Sequence, residues 1–185
     1  VPYAGAYVMA PIALTLAGSD TQKENWLPKV AGGEAVIGIG LSEYVGAREN
    51  AAITASGKTI SGRCLFVIDG KDADAYILAN KAGELYLVDA KAEGISVTEL
   101  VTVDKTRPSI ELNLDNVEAQ LLPGSENNQE VINKVLDAGR LMLAADSIGA
   151  SQVMLNKAVA YSLERKQFGR VIGSFQAVKH MCAEM

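Results

Sequence analysis

The sequence predicts an α+β fold: an antiparallel β-barrel or sandwich as the middle domain, flanked by α-helical segments. Three observations predict it. Residues 35–122 break into short runs rich in Val, Ile and Tyr, separated by turn residues. The first 33 residues carry helical periodicity with good start and stop residues. After Pro123-Gly124-Ser125 the apolar side chains recur at spacings of three and four as far as about Lys166. The expected domains are 1–34, the end of a helical domain; 35–123, the β-domain; and 124–185, the start of a helical bundle.

In the first section, residues 1–17 are apolar but hold Pro2, Gly5 and Pro11 and fall short of the ~20 residues a membrane span needs, so a buried helix pair is expected. Ser19 or Asp20 is a good N-cap for a helix over 21–30, which Gly32-Gly33 ends. Strands are expected at 35–41, 51–56, 59–68, 75–80, 85–88, 95–98, 109–114 and 119–121, with hairpin turns at Ser56-Gly57-Lys58 and at 81–84. Ser125 is the expected N-cap of the long helix, Gly169 its stop, and Ser174 the cap of the last helix. Seams through Val131, Val135, Ala138 and Met142 and through Ile132, Leu136, Gly139 and Leu143 require packing partners along most of that helix. The opening at Val1 and the ending at Met185 both fall inside helical patterns, and so predict a portion of a longer chain.

Composition excludes several functions. With 17 Lys and Arg against 22 Asp and Glu, the net charge of -5 opposes a nucleic-acid partner. Cys64 and Cys182 lack metal or redox spacing and are expected as reduced thiols. The lone His180 lies on a helix and is expected to be a packing or surface residue. The acidic cluster Lys71-Asp72-Ala73-Asp74 suits a solvated loop, and no metal site is expected.

Four stretches point to chemistry. The first is Arg165-Lys166-Gln167-Phe168-Gly169-Arg170, followed by Ile172 and Phe175-Gln176. The second comprises Gly18, Gln22-Lys23, Leu27-Pro28 and then Leu41-Ser42-Glu43. The third is Phe66-Val67-Ile68, and the fourth Asp137-Ala138-Gly139-Arg140. Together they resemble the acyl-CoA dehydrogenase family along nearly the whole chain. The resemblance implies a flavin-dependent α,β-dehydrogenation of an acyl-CoA thioester, with FAD as cofactor. A Glu removes the α-proton while the β-hydrogen passes as hydride to flavin N5, and an electron-transfer acceptor later takes the electrons.

The resemblance also assigns roles. Arg165, Gln167 and Phe168 are expected to touch the ADP half of an FAD held mainly by a neighbouring subunit; a guanidinium suits this through paired charge-assisted bonds to pyrophosphate. Leu41 and Ser42 are expected at the isoalloxazine ring, Ser42 through its hydroxyl. Arg48 stands where the family has a Ser that meets cofactor phosphate, and Phe66 where it has an aromatic wall. Ile68 replaces a hydroxyl residue near N5. Asp137 and Arg140 match a pair near the pantetheine, although spacing alone reads them as an i, i+3 helix pair. Gly139 occupies one of the family's two positions for the base, so the base is expected beyond Met185. The resemblance further implies a homo- or hetero-oligomer, such as a dimer of dimers, in the bacterial cytoplasm or the mitochondrial matrix. The alternative is a supporting subunit that helps bind a partner's FAD without catalysing.

Overall fold

A computed structural model describes residues 3–46 and 51–185. The chain forms two compact units, Val1–Arg140 and Leu141–Met185. In the first unit a π-helical stretch, Ala4–Met9, runs without a break into α1 (Ala10–Ala17), because Ala10 keeps helical dihedrals. The expected pair of helices is therefore one continuous helical segment. Helix α2 (Asp20–Ala31) starts at a complete capping box: Gln22 N–H donates to Ser19 Oγ, and Ser19 N–H to Gln22 Oε1.

The strands are β1 (Ile37–Gly40), β2 (Ile53–Ser56), β3 (Thr59–Ile68), β4 (Ala75–Ala79), β5 (Leu85–Asp89), β6 (Ile95–Glu99), β7 (Ser109–Glu118) and β8 (Gln120–Leu121). They form one sheet in the order β6-β7-β3-β1-β4-β5-β8, with β2 paired to β3. The two ends do not pair, so the sheet is not closed into a barrel and is sandwich-like. All pairings are antiparallel except β1 with β4, which run parallel because the β2–β3 hairpin lies between them in sequence.

Strict alternation divides the core. Ile37, Ile39, Ala75, Ile77, Leu85 and Leu87 face α1, α2 and the first turns of α3 (Gln129–Glu164). Their neighbours Tyr76, Leu78, Tyr86 and Val88 face the other way, onto Ile60, Cys64, Val67, Ile110 and Leu112 of β3 and β7. The sheet thus folds over on itself, and a helical layer covers one side. Between Ile37 and Ile39, and after them, small residues are needed: a Cβ on Gly40 would lie 2.5 Å from Cys64 Sγ and 2.8 Å from Leu78 Cδ2.

Two expected caps serve other purposes. Ser125 is fully buried, where its hydroxyl accepts from Leu85 N–H at 2.9 Å and donates to the Leu122 carbonyl at 2.6 Å. It fastens a 3-10 turn to β5, and α3 begins four residues later. Ser174 donates to the Val171 carbonyl at 2.7 Å instead of capping α4 (Gln176–Glu184), whose N-cap position is Phe175.

The second unit holds the C-terminal part of α3, a hairpin of β9 (Lys166–Gln167) and β10 (Arg170–Val171), and α4. Helix α3 stops at Glu164, slightly before the expected end, because the chain turns at once into this hairpin. No helix among the described residues is long and apolar enough to cross a membrane.

Candidate functional site

The central feature of the first unit is a bulge in β3. Cys64 stands opposite Leu112 and Val67 opposite Ile110, so three steps on β3 answer two on β7. The extra residue forces Phe66 to φ 56°, a left-handed conformation rare for an aromatic residue, and leaves the residue 43% exposed between buried Leu65 and Val67. Leu65 falls inside the bulge, outside the β3–β7 pairs.

Ser42 bonds both backbone groups of Leu65. Ser42 itself is only 3% exposed, and its hydroxyl accepts from Leu65 N–H at 2.7 Å and donates to the Leu65 carbonyl at 2.8 Å. Cys64 Sγ lies 3.0 Å from the same oxygen. A hydroxyl has one proton and two lone pairs. With the proton directed at Leu65, the Cys64 thiol is the donor of the third bond. Burial pushes the Cys64 thiol pKa up, which keeps it in the protonated form this bond requires.

The sequence-singled residues of this region are thus partly gathered. Leu41 and Ser42 are buried beside the bulge, and Phe66 projects from it. Ile68 stands opposite Ile39 at the end of β3 and packs onto the helix-side core. Arg48 lies outside the described residues. Next to Ser42, Glu43 Oε1 is buried without a hydrogen-bond partner among the described residues. Just past β3, Asp69 is buried, and its Oδ2 accepts from Gly5 N–H at 2.6 Å and Ala6 N–H at 3.2 Å, tying the sheet to the first helical turn.

On α3, Arg140 Nη1 donates to Asp137 Oδ1 at 2.8 Å, and both side chains are largely exposed, as an i, i+3 pair should be. Gly139, between them in sequence, lies against Met9: a Cβ there would stand 2.7 Å from Met9 Sδ.

In the second unit, Phe168 and Gly169 form a two-residue turn between β9 and β10, with φ 52° and 78°. Positive φ at both turn positions suits the twist of a tight hairpin, and glycine is the natural residue for the second. Phe168 is 91% exposed at the tip, with its ring edge-on to Phe175 at 6.1 Å. The Arg170 guanidinium sits 4.1 Å from the centre of the Phe175 ring. Arg165 is exposed, and its backbone is fixed on both sides: its N–H donates to the Tyr161 carbonyl and its carbonyl accepts from Ile172 N–H. Gln167 turns its amide to the Lys166 carbonyl at 2.8 Å. Arg165 and the hairpin that follows it therefore carry two guanidinium groups and an exposed aromatic ring within six residues. Sequence reasoning quoted Arg170 within its motif but gave it no role, and it missed the pairing of Ser42 with Cys64; Gly169, read as a helix stop, is the glycine of the hairpin turn.

A folded-over sheet beneath helices, with a cationic hairpin at the end of a long helix, defines the structural class. A family model described as acyl-CoA dehydrogenase, C-terminal domain, matches residues 129–185. Acyl-CoA dehydrogenase FadE34 of Mycobacterium tuberculosis is 33% identical over 98% of this chain and 24% of its own length. Among solved structures, the Tcur3481-Tcur3483 steroid ACAD is 29% identical, with a TM-score of 0.82 over 100% of this chain and 51% of that one. A glutaryl-CoA dehydrogenase from Mycobacterium smegmatis in complex with FADH2 shares the fold at 23% identity, with a TM-score of 0.83 over 96% of this chain and 50% of that one. The chain belongs to the acyl-CoA dehydrogenase family. It spans about half the length of most of the curated relatives it matches.

Proposed function

We propose that the chain is part of a flavin-dependent acyl-CoA dehydrogenase subunit acting on the α,β-bond of an acyl-CoA thioester. The observation that carries this reading is the hairpin, where Arg165, Arg170 and exposed Phe168 form a cationic and aromatic surface on a family framework. Such a surface fits a dinucleotide: guanidinium groups pair with pyrophosphate oxygens, and an exposed ring stacks on a base. FAD, when bound, supplies the two-electron acceptor. The protein's own residues position and shield it.

In this reading the Phe66 ring is the wall for the isoalloxazine, with Leu41 and Ser42 behind it, and Arg48 stands at the family's phosphate-meeting position in the sequence. Ile68 contributes shape but no hydrogen bond. Arg165, Gln167 and Phe168 serve the ADP half of an FAD in a neighbouring subunit of a homo- or hetero-oligomer, a dimer of dimers. Asp137 and Arg140 lie on the substrate side near the pantetheine. The base that takes the α-proton belongs to a segment beyond Met185. An electron-transfer acceptor completes the cycle, in the bacterial cytoplasm, the favoured compartment, or the mitochondrial matrix.

A second reading has this chain as the supporting subunit of a mixed oligomer. One observation favours it: Ile68 lacks a hydroxyl. The retained aromatic at Phe66 favours the first reading. Anaerobic titration of the purified protein with acyl-CoA thioesters of increasing chain length separates them. Bleaching of one flavin band per chain supports catalysis. One flavin per pair of chains, with a second subunit required for bleaching, supports the supporting role. Colourless protein contradicts both.

A further inference from the structure

Residues facing a cofactor normally keep a donor or acceptor free for it, and Ser42 keeps none. Its proton goes to the Leu65 carbonyl, one lone pair takes Leu65 N–H and the other faces the Cys64 thiol. Both backbone groups served belong to Leu65, inside the bulge, on the edge of β3 where Arg63 N–H bonds the Ala52 carbonyl. A buried amide or carbonyl left without a partner is costly, so the bulge depends on this one oxygen. The same bulge holds Phe66 at φ 56°, a conformation that survives in a bulky residue only where its surroundings enforce it.

We propose that Ser42 is a positioning residue that acts on the flavin through Phe66: its hydroxyl, with the Cys64 thiol, staples the β3 bulge that turns the Phe66 ring outward. The inference rests on the flavin reading above for its functional half. Its structural half stands on the hydrogen bonds alone. Ser42 would then reach the cofactor only by setting where the aromatic wall stands, and Cys64 would be a buried donor in the same staple.

Two measurements test it. The first is amide hydrogen exchange at Leu65 without added flavin. Ser42→Ala is expected to speed Leu65 exchange more than tenfold, while the β4–β5 amides, such as Ile77, stay protected and Ser42→Thr keeps Leu65 slow. Ser42→Cys, a milder change, should fall between, and it serves if the alanine variant fails to fold. Unchanged Leu65 exchange in a folded variant overturns the staple. The second measurement is FAD affinity in a double-mutant cycle with Phe66→Ala. Ser42→Ala should weaken FAD about tenfold in the native background and add less than twofold once Phe66 is gone. Equal losses in both backgrounds would mean a direct bond to the flavin and overturn the proposal. If the unaltered protein takes up no FAD at all, the flavin reading fails and takes the functional half with it, while Leu65 exchange still decides the staple.

Discussion

Gly139 and Met9 share one space: a Cβ on Gly139 would meet Met9 Sδ at 2.7 Å and Cε at 3.0 Å, and Met9 itself is buried. A longer side chain at this helix position must displace a packed methionine. Gly139→Glu is therefore expected to destabilise the protein by about 1–3 kcal/mol, as overpacked cores generally do. The midpoint of urea unfolding reads this directly, and an unchanged midpoint would mean that Met9 yields freely.

Asp69 joins the end of β3 to the first helical turn through Gly5 and Ala6. Hydrogen bonds to a charged acceptor contribute about 1.5–3 kcal/mol each at most. Asp69→Ala should lower stability by about 2–3 kcal/mol. Asp69→Asn, which keeps an acceptor and tolerates the φ of 54°, should cost clearly less. Equal losses for the two variants in urea unfolding would show that the oxygen is not what matters.

Tyr86 gives the fold an alkaline limit. Burial, aided by the Glu84 carboxylate that accepts from its hydroxyl at 2.8 Å, pushes the Tyr86 phenol up to about 12 from 10.0. The folded state thus favours the neutral phenol. Its contribution is fully present below pH 10 and is lost as the pH rises from there towards 12. Stability measured between pH 9 and 11.5 should fall less steeply in Tyr86→Phe than in the native protein. Parallel slopes would contradict this.

Phe168 occupies a left-handed position at the hairpin tip. A β-branched replacement there suffers most, so Phe168→Val is expected to destabilise the second unit by about 1–2 kcal/mol. Phe168→Gly relieves the dihedral strain but gains unfolded-state entropy, leaving stability within about 1 kcal/mol. Thermal unfolding ranks the two, and a valine variant as stable as the glycine variant would refute the turn geometry.

Much of this was legible in the sequence because period and punctuation carry it. All eight strands of the large sheet stand within a few residues of the runs of Val, Ile and Tyr, and of the two caps offered for α2, Ser19 and Asp20, Ser19 serves. What escaped depends on tertiary placement. Ser125 has the chemistry of a cap, yet Leu85 lies close enough to take its hydroxyl. The parallel β1–β4 pair and the open edges follow from long-range pairing that local pattern does not encode. At the site, the residues singled out by motif fall into two separate compact units, Leu41, Ser42, Phe66, Ile68, Asp137 and Arg140 in one and Arg165, Gln167 and Phe168 in the other. The Ser42–Cys64 pairing joins residues 22 positions apart across a bulge, and no spacing rule announces it.

FAD titration of the Arg165→Ala protein tests most directly whether the end of α3 and its hairpin grip FAD. Loss of a charge-assisted pair to pyrophosphate should weaken FAD by at least tenfold, in line with ~1.5–3 kcal/mol for such a bond, and raised salt should narrow the difference. Equal FAD affinity in the native and Arg165→Ala proteins would contradict the account.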